Sequence, residues 1–267
     1  MCRILQVSPS GYYAWRNRPE SAHDLDDLRI GVLIGEAFAR SRSTYGSIRV
    51  HAALKANGLH VSRKRVMRLM RRLGLRGRTR RAFVVTTDSV KGAATADNLV
   101  ARDFTATGPN QKWVGDVTYL RTPEGWIYLA IQLDLYSRRI VGWALSPVND
   151  HRLALAALQA ALHSRRPAPG LICHTDQGSP YVGAPYQKAL AAVGAVCSMS
   201  RRGNCLDNAA MESWNATVKC ELGEVFQSLG DAKRRLFDFI KVFYNQERLH
   251  SALGYQSPAA FERSAYA

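Results

Sequence analysis

The chain has 267 residues, of which 46% are hydrophobic and 22% are charged, a composition typical of a globular protein with one large domain or one medium and one small domain. Its best apolar run, residues 153–162, is too short to cross a membrane, and its first residues are too polar for a secretory signal. The 5 cysteines are widely spaced and form no Cys-x-x-Cys pair. A disulfide framework and a tetrahedral zinc site are therefore disfavoured, and a cytoplasmic protein is expected.

The net charge of +16 is concentrated in the first part of the chain. Residues 1–108 hold 20 basic and 8 acidic side chains, whereas residues 109–267 hold 17 and 13. The densest basic segment, residues 63–81, contains ten Arg or Lys and no acidic residue. Because a solvated helix face usually mixes both signs, this segment predicts a polyanionic partner, and nucleic acid is the obvious one.

After an N-terminal segment, residues 1–23, the pattern over residues 24–75 predicts a small all-α domain. Apolar spacing indicates helices over residues 28–39 and 47–56. A third helix begins after the N-cap Ser62 and ends before Gly74. Three short helices, the last of them basic, are typical of a helix-turn-helix, whose final helix can enter the major groove of DNA.

The third helix divides its residues between a buried stripe and a basic surface. The stripe, at steps of i, i+3, i+4 and i+7, consists of Val66, Leu69, Met70 and Leu73. The candidate DNA contacts on the remaining surface are Arg63, Lys64, Arg65, Arg68, Arg71 and Arg72. The sequence leaves open whether these side chains contact bases or only phosphates.

Residues 76–108 lack hydrophobic periodicity and are interpreted as a linker that is basic where it starts. Residues 109–267 then follow the pattern of an α/β domain. The predicted strands are residues 112–120, 125–136, 140–145, 171–176 and 195–199, and the predicted helices are residues 151–163, 185–193, 208–222 and 232–244. This order of elements predicts an α/β fold with a mixed sheet.

Three acidic residues of this domain are candidates for catalysis. Asp116 lies in the first strand, Asp176 at the end of the fourth, and Glu212 on the helix after the last strand. Ligands bind at the carboxyl ends of strands in α/β sheets, although a single Asp on a strand is more often a turn or surface residue. Converging carboxylates need a counter-ion, and oxygen ligands without Cys or His favour Mg²⁺ or Mn²⁺. Two such ions, roughly 4 Å apart, can activate an attacking oxygen and stabilise a leaving one in phosphoryl transfer.

Around Glu212, polar residues recur on one face of the helix. Asn208, Glu212, Asn215 and Lys219 follow one another at steps of 4, 3 and 4 residues. Lys219, two turns after Glu212, is therefore predicted to contact a DNA phosphate.

Several motifs along the chain carry a family resemblance. They are STYGSIRV at 43–50, WVGDVTY at 113–119, LDLYSRRIVGW at 133–143, HTDQGSPY at 174–181, SRRGNCLDNAAMESW at 200–214, KCEL at 219–222 and YNQERLHSALGYQSP at 244–258. Asp116 and Asp176 are separated by 59 residues, Asp176 and Glu212 by 35, and Lys219 follows Glu212 by seven. Together these features resemble the downstream-frame protein of IS3-family insertion-sequence transposases, over nearly the whole chain.

The resemblance implies an RNase H-like, retroviral-integrase-type DDE core with a five-stranded sheet, preceded by a helix-turn-helix-like module. It implies that Asp116, Asp176 and Glu212 bind two divalent ions and that Asn208, Lys219 and Asp134 lie near the active site and DNA. The implied reaction is phosphodiester hydrolysis followed by strand transfer at the ends of the element. The implied partners are terminal-repeat and target DNA, further copies of the chain, and the upstream-frame protein or its frameshift fusion, in the bacterial cytoplasm and nucleoid. The usual upstream helix-turn-helix and leucine zipper are not visible before Ser21.

Two other functions are compatible with much of the same sequence. An RNase H-like nuclease would cut DNA without joining strands, and the Asp176–Glu212 spacing, with Lys219 after it, argues against this alternative. A DNA-binding regulator would occupy the ends of the element without cutting them, and the basic segment over residues 63–81 suits it as well as a transposase.

The roles of several other side chains stay open at this point. Trp113, Trp126 and Trp143 are interpreted as packing residues, with stacking on a flipped base as the alternative. A structural hydrogen bond is preferred to proton transfer for His174. The last set could either touch DNA or dock the final helix on the core: Tyr244, Asn245, Arg248 and His250.

Overall fold

The computed structural model describes residues 2–79, 96–201 and 204–265 of the chain. These residues form two compact units, Met1–Gly77 and Arg78–Ala267. Within the described ranges, no helix is long and apolar enough to span a membrane.

The first unit is helical, as predicted. Its described helices are α1 (Pro9–Arg16), α2 (Ala22–Arg40), α3 (Ser47–Ala56) and α4 (Arg63–Arg72). Serine N-caps begin α2 and α4: the Ser21 hydroxyl accepts from the Asp24 amide and the Ser62 hydroxyl from the Arg65 amide, both at 3.2 Å. The three predicted helices are therefore confirmed, although α2 begins six residues earlier than apolar spacing alone indicates.

The core of this unit lies between α2, α3 and α4. Ile30 and Ile34 of α2 and Val66 and Leu69 of α4 are almost completely buried. Leu73, predicted to belong to the same buried stripe, is 48% exposed. Leu73 is the C-cap residue at the end of α4, where its side chain lies next to Gly31 of α2 but is covered on one side only.

The second unit contains a mixed five-stranded sheet in the order β3-β2-β1-β4-β5. Its strands are β1 (Lys112–Thr122), β2 (Gly125–Asp134), β3 (Ile140–Ser146), β4 (Ile172–Thr175) and β5 (Val196–Met199). The first three form an antiparallel meander, and β4 and β5 are parallel to β1. The prediction of a mixed five-stranded sheet is confirmed.

The helices of this unit are α5 (His151–Arg165), α6 (Ser179–Val182), α7 (Ala184–Ala191), α8 (Ala209–Glu221), α9 (Leu229–Phe237) and α10 (Pro258–Ser264). A 3₁₀ turn, Cys205–Asn208, leads into α8, and a π-helical segment, Asp238–Glu247, follows α9 directly. The single helix predicted over residues 232–244 is therefore an α-helix joined to a π-helix, which the apolar spacing does not distinguish.

One face of the sheet is covered by α5, which approaches β3 very closely. A Cβ atom on Gly142 would lie 2.3 Å from the Ala157 carbonyl oxygen and 2.6 Å from the Ala161 Cβ. Trp113 of β1 and Leu158 of α5 are fully buried in the cluster that fills this side. The close contact fixes α5 against the sheet and requires glycine at position 142.

The end of the predicted linker packs on the second unit. Val100 is buried, the Leu99 amide donates to the Ser198 hydroxyl at 2.9 Å, and the Met199 amide donates to the Asp97 carbonyl at 3.2 Å. The rest of the linker prediction, over residues 80–95, lies outside the described residues, as does the end of the basic segment at Arg80 and Arg81.

Candidate active site

The candidate site lies where β1 runs past the end of β4. Only Lys112, Trp113 and Val114 of β1 pair with β4, so the strand from Gly115 onward lies beside α8 on that edge. Asp116, half-buried, accepts a 2.6 Å hydrogen bond from the Asn215 side chain of α8. This bond fixes the carboxylate of β1 against the middle of α8.

Asp176 follows the last residue of β4 directly. One of its carboxylate oxygens accepts the backbone N–H of Gly178 at 3.0 Å, in a turn that leaves the carboxylate half-buried. Because β1 and β4 are parallel, Asp116 and Asp176 lie toward the same end of the sheet.

The electrostatics link the three candidate carboxylates. Burial, together with the negative charge of Asp176, raises the pKa of Asp116 to about 7, and the charge of Glu212 adds to this rise while the Asn215 hydrogen bond opposes it. Burial also raises the pKa of Asp176. The structure therefore brings Asp116 within electrostatic range of both Asp176 and Glu212.

The side chains of this site are of types that bind divalent cations, although they are not yet arranged around one. In the described part of the chain, no three His, Cys, Asp or Glu side chains are already placed to hold a metal ion. The ligand types nevertheless suit Mg²⁺ or Mn²⁺, because carboxylates are joined by two buried amide oxygens, Asn208 Oδ1 and Asn215 Oδ1, that find no hydrogen-bond partner among the described residues. The residues present therefore fit a hard cation.

Comparison with known proteins finds a related domain for each of the two units. An HTH-like domain matches residues 25–83, and an integrase core domain matches residues 106–205 and 193–258. Over 266 residues the chain is 41% identical to the transposase InsF for insertion sequence IS3A of Escherichia coli (strain K12), with 98% of this chain and 92% of that protein covered. The chain belongs to the IS3 family of insertion-sequence transposases. The insertion element IS600 uncharacterized 31 kDa protein of Shigella sonnei is 43% identical over 263 residues, with 98% of this chain and 97% of that protein covered.

A retroviral integrase-type fold is also found by structural comparison. The simian T-cell lymphotropic virus intasome, solved in complex with PP2A regulatory subunit B56 gamma, aligns with a TM-score of 0.50 and 15% identity, covering 79% of this chain and 70% of that chain. The predicted family and fold class are thus confirmed. A transposase with an integrase core is an enzyme of polynucleotidyl transfer.

The start of α8 in this transposase is held by Asp207, which the sequence did not single out. Its fully buried carboxylate accepts hydrogen bonds from Arg201 at 2.9 Å, from Arg102 at 3.1 Å and from the Asn98 amide at 2.9 Å. The hydrogen bonds from Arg201 hold the pKa of this carboxyl well below its usual range. Asp207 lies five residues before Glu212, so this cluster anchors the helix that carries the third candidate carboxylate. The only sequence signal for it was an Asp just before a predicted helix.

His174 is a structural residue, as preferred from the sequence. One ring nitrogen is 2.8 Å from the Ser198 hydroxyl, and the other is 3.0 Å from the Ser200 hydroxyl and 3.1 Å from the Asp207 carbonyl oxygen. Burial lowers the pKa of His174, so the imidazole is neutral near pH 7. The ring joins β4, the end of β5 and the turn before α8.

Asp134 also serves the fold. It is fully buried at the end of β2 and accepts the amide N–H of Asn110 at 2.9 Å, the amide N–H of Ser137 at 2.9 Å and the Ser137 hydroxyl at 2.7 Å. Burial raises the pKa of Asp134, whereas these hydrogen bonds act to lower it. Its oxygens hold a turn together, and the position near the active site and DNA that the resemblance implied stays a prediction.

The C-terminal motif docks its segment on the core. The Asn245 side chain bonds both the N–H and the C=O of Ile140 at 2.9 Å, in place of a strand partner. Buried Arg248 forms an ion pair with Glu221 of α8 at 2.6 Å, and Tyr244 is buried against the ring of His250. Of the two roles left open by the sequence, the structure supports docking.

Two basic residues of α4 also stabilise the unit. Arg65 and Arg68 each form a 2.7 Å ion pair with buried Asp27 of α2, which holds the two helices together. Burial would raise the pKa of Asp27, but the two guanidinium groups hold it below its usual value. Arg68 is exposed despite its ion pair, as are the four remaining predicted contacts, and the DNA contacts of the whole set stay a prediction: Arg63, Lys64, Arg71 and Arg72.

Of the tryptophans predicted to pack in the core or on a face of the sheet, Trp113 is fully buried, whereas Trp126 is 52% exposed and packs on the sheet face against Tyr119. Trp143 is intermediate. The difference arises because Trp126 lies near the β1–β2 turn, beyond the part of the sheet that α5 covers.

Proposed function

We propose that Asp116, Asp176 and Glu212 are the catalytic carboxylates of this transposase and that they hold Mg²⁺ or Mn²⁺, as two ions, during hydrolysis and strand transfer at the ends of the element. The observation that carries the proposal is the placement of Asp116 and Asp176 toward the same end of the parallel β1–β4 pair, with two unpartnered amide oxygens, Asn208 Oδ1 and Asn215 Oδ1, beside β1. The neighbouring charges of Asp176 and Glu212, which help to raise the pKa of Asp116, suit such a site to a cation.

Each neighbouring residue has a role in this proposal. When bound, the ions would activate an attacking water or 3′-hydroxyl and stabilise the leaving oxygen. The Asn215 side chain holds Asp116 in one orientation through its 2.6 Å hydrogen bond. Asn208, whose amide donates to the Gly115 carbonyl at 3.5 Å, fixes the start of α8 against β1, and Lys219 binds a DNA phosphate. The protein forms no covalent bond with DNA.

Recognition of DNA is assigned to the first unit. Arg63, Lys64, Arg71 and Arg72 would bind the phosphates or bases of the terminal repeats. Target DNA, further copies of this chain, and the upstream-frame protein or its frameshift fusion are the other proposed partners, in the bacterial cytoplasm where this DNA is found.

Strand transfer tests the proposal directly. A labelled, pre-processed element-end oligonucleotide is incubated with plasmid DNA and Mn²⁺, with wild type, Glu212→Gln and Asp116→Asn compared. Both variants are expected to abolish joining and to keep DNA binding. Glu224→Gln is the matched control, since Glu224 is exposed just after α8, and it is expected to join strands like wild type.

Two other outcomes identify the alternative functions. Cutting of the element end without joining, by wild type in the presence of the upstream-frame protein, would indicate a nuclease. DNA binding with neither cutting nor joining under the same conditions would indicate a regulator and would refute the catalytic assignment.

A further inference from the structure

The face of the sheet that packs on α5 continues past that helix into solvent. Val117 of β1 and Ala130 of β2 pack against Leu153 and Ala157 of α5. Tyr119 and Arg121, two and four positions after Val117, point to the same side of the strand. The residues of β2 that pair with them, Tyr128 and Trp126, point to that side too. This uncovered extension carries Tyr119, 38% exposed, and Trp126, 52% exposed.

The two rings form a fixed pair, each with a cation beside it. Tyr119 and Trp126 meet edge to face, with centroids 5.2 Å apart and planes at 86°. Lys219 Nζ lies 4.4 Å from the centre of the Tyr119 ring, and the Arg121 guanidinium lies 5.9 Å from the centre of the Trp126 ring. We refer to these four residues as the aromatic-cationic patch.

The backbone under the patch is well held. Arg121 and Trp126 are directly paired across the β1–β2 ladder. On the other edge, the Arg121 amide donates to the Glu224 carbonyl and the Phe226 amide donates to the Arg121 carbonyl, each at 2.8 Å. The exposed rings are therefore presented on a rigid surface rather than on a loose turn, which lowers the entropy cost of binding a ligand.

The chemistry of the patch matches single-stranded DNA. Aromatic rings stack on bases, and neighbouring Lys and Arg side chains bind the phosphates between them. Bases inside a duplex are stacked on each other and do not offer their faces, so the ligand of such a patch is a nucleotide that is unpaired.

Lys219 connects the patch with the helix that carries Glu212. It lies seven residues after Glu212 on α8, which corresponds to about 10 Å along the helix axis. Tyr119 lies three residues after Asp116 on β1, so these two side chains point to opposite faces of the sheet, and the Lys219 Nζ beside the Tyr119 ring is the contact between the patch and α8.

We propose that Tyr119, Arg121, Trp126 and Lys219 form a stacking site for an unpaired nucleotide of the DNA that the transposase cuts or joins. The proposal rests on the proposed function, because it takes this DNA as the substrate of the carboxylates. The transposase then holds a frayed or single-stranded DNA end in preference to a blunt one.

Fluorescence anisotropy with the full-length chain tests this site. The probes are a blunt duplex of the element end, the same duplex with a short single-stranded tail, and that duplex with abasic residues in the tail, which keep the phosphates and remove the bases. Wild type is expected to bind the base-containing tail about tenfold more tightly than the abasic tail. Trp126→Ala should reduce this preference to less than about twofold, whereas Trp126→Phe should keep most of it.

Phe237→Ala, which removes another exposed ring of the same unit, is the matched control and should keep the full preference. Thermal melting confirms that each variant is folded. An unchanged preference in folded Trp126→Ala, or equal binding of the base-containing and abasic tails by wild type, would overturn the proposal.

Strand transfer measured on the same proteins separates this result from the proposed function. If wild type joins strands and ignores the bases of the tail, the stacking site is wrong and the catalytic assignment stands. If wild type prefers the base-containing tail through Trp126 but neither cuts nor joins in the presence of the upstream-frame protein, the catalytic assignment is wrong and the stacking site stands as a DNA-binding site without catalysis.

Discussion

Replacing Asp116 with Asn should stabilise the metal-free protein at pH 8. In the unfolded chain this carboxyl titrates near 3.8, and in the folded protein its pKa is raised to about 7. Above pH 7 the group is ionised in both states, so the folded state bears the full cost of its buried charge. An amide carries no charge, and its oxygen can still accept the hydrogen bond from Asn215.

The size of the effect follows from the two pKa values. A difference of about 3 pH units corresponds to at most about 4 kcal/mol of unfolding free energy. Even a quarter of this would raise Tm by about 2–4 °C in a domain of this size. Because the folded pKa is raised, wild-type stability falls as the pH rises from about 4 to 7, so the advantage of Asp116→Asn should vanish near pH 4 and be complete above pH 7.

Thermal melting in EDTA at several pH values measures this effect. Asp134→Asn is the matched control, because Asp134 is also a buried carboxylate but accepts hydrogen bonds from Ser137 and Asn110. Its amide NH₂ would meet the Ser137 N–H, so this variant should lose about 1–3 kcal/mol of stability. An Asp116→Asn variant no more stable than wild type at pH 8 would refute the view that burial and the neighbouring carboxylates make the ionised Asp116 costly to the folded state.

Two further predictions concern packing. Asp27→Asn should lower the Tm of the first unit by several degrees in a thermal melt, because it leaves Arg65 and Arg68 beside each other without their shared carboxylate. An unchanged Tm would contradict a structural role for these ion pairs. Gly142→Ala should destabilise the second unit by about 1–3 kcal/mol or more in urea unfolding, because α5 leaves no space for a methyl group. The control Gly35→Ala on α2 has open space around it and should be neutral or stabilising.

The strands and their order along the chain were predictable because local patterns determine them. Alternating β-branched and aromatic residues bounded by turn residues define β1 to β3, and the positions of Asp116 and Asp176 relative to the strands follow from the same pattern. The spacing of Glu212 on α8 added the third carboxylate. These features depend on neighbours in sequence, so the sequence reveals them.

The features that were not predictable depend on contacts between distant residues. The role of Arg65 in joining α2 to α4 depends on Asp27, 38 residues earlier, which accepts its hydrogen bond. Asp207 gains its role from Arg102, 105 residues away. The exposure of Trp126 was not predictable, because hydrophobic patterning does not show where α5 stops covering the sheet.

The parallel pairing of β1 with β4 has a consequence for the order in which the protein folds. The β1–β2–β3 meander joins strands that follow one another in sequence, whereas Lys112 must find Ile172 to pair β4 with β1. Contacts of such long sequence separation form later than local ones, since they carry a larger loop-closure cost. Asp116 is thus expected to enter its strand while still solvated, and to meet the charge of Asp176 only in the last steps of folding. The repulsion between them then speeds unfolding far more than it slows folding.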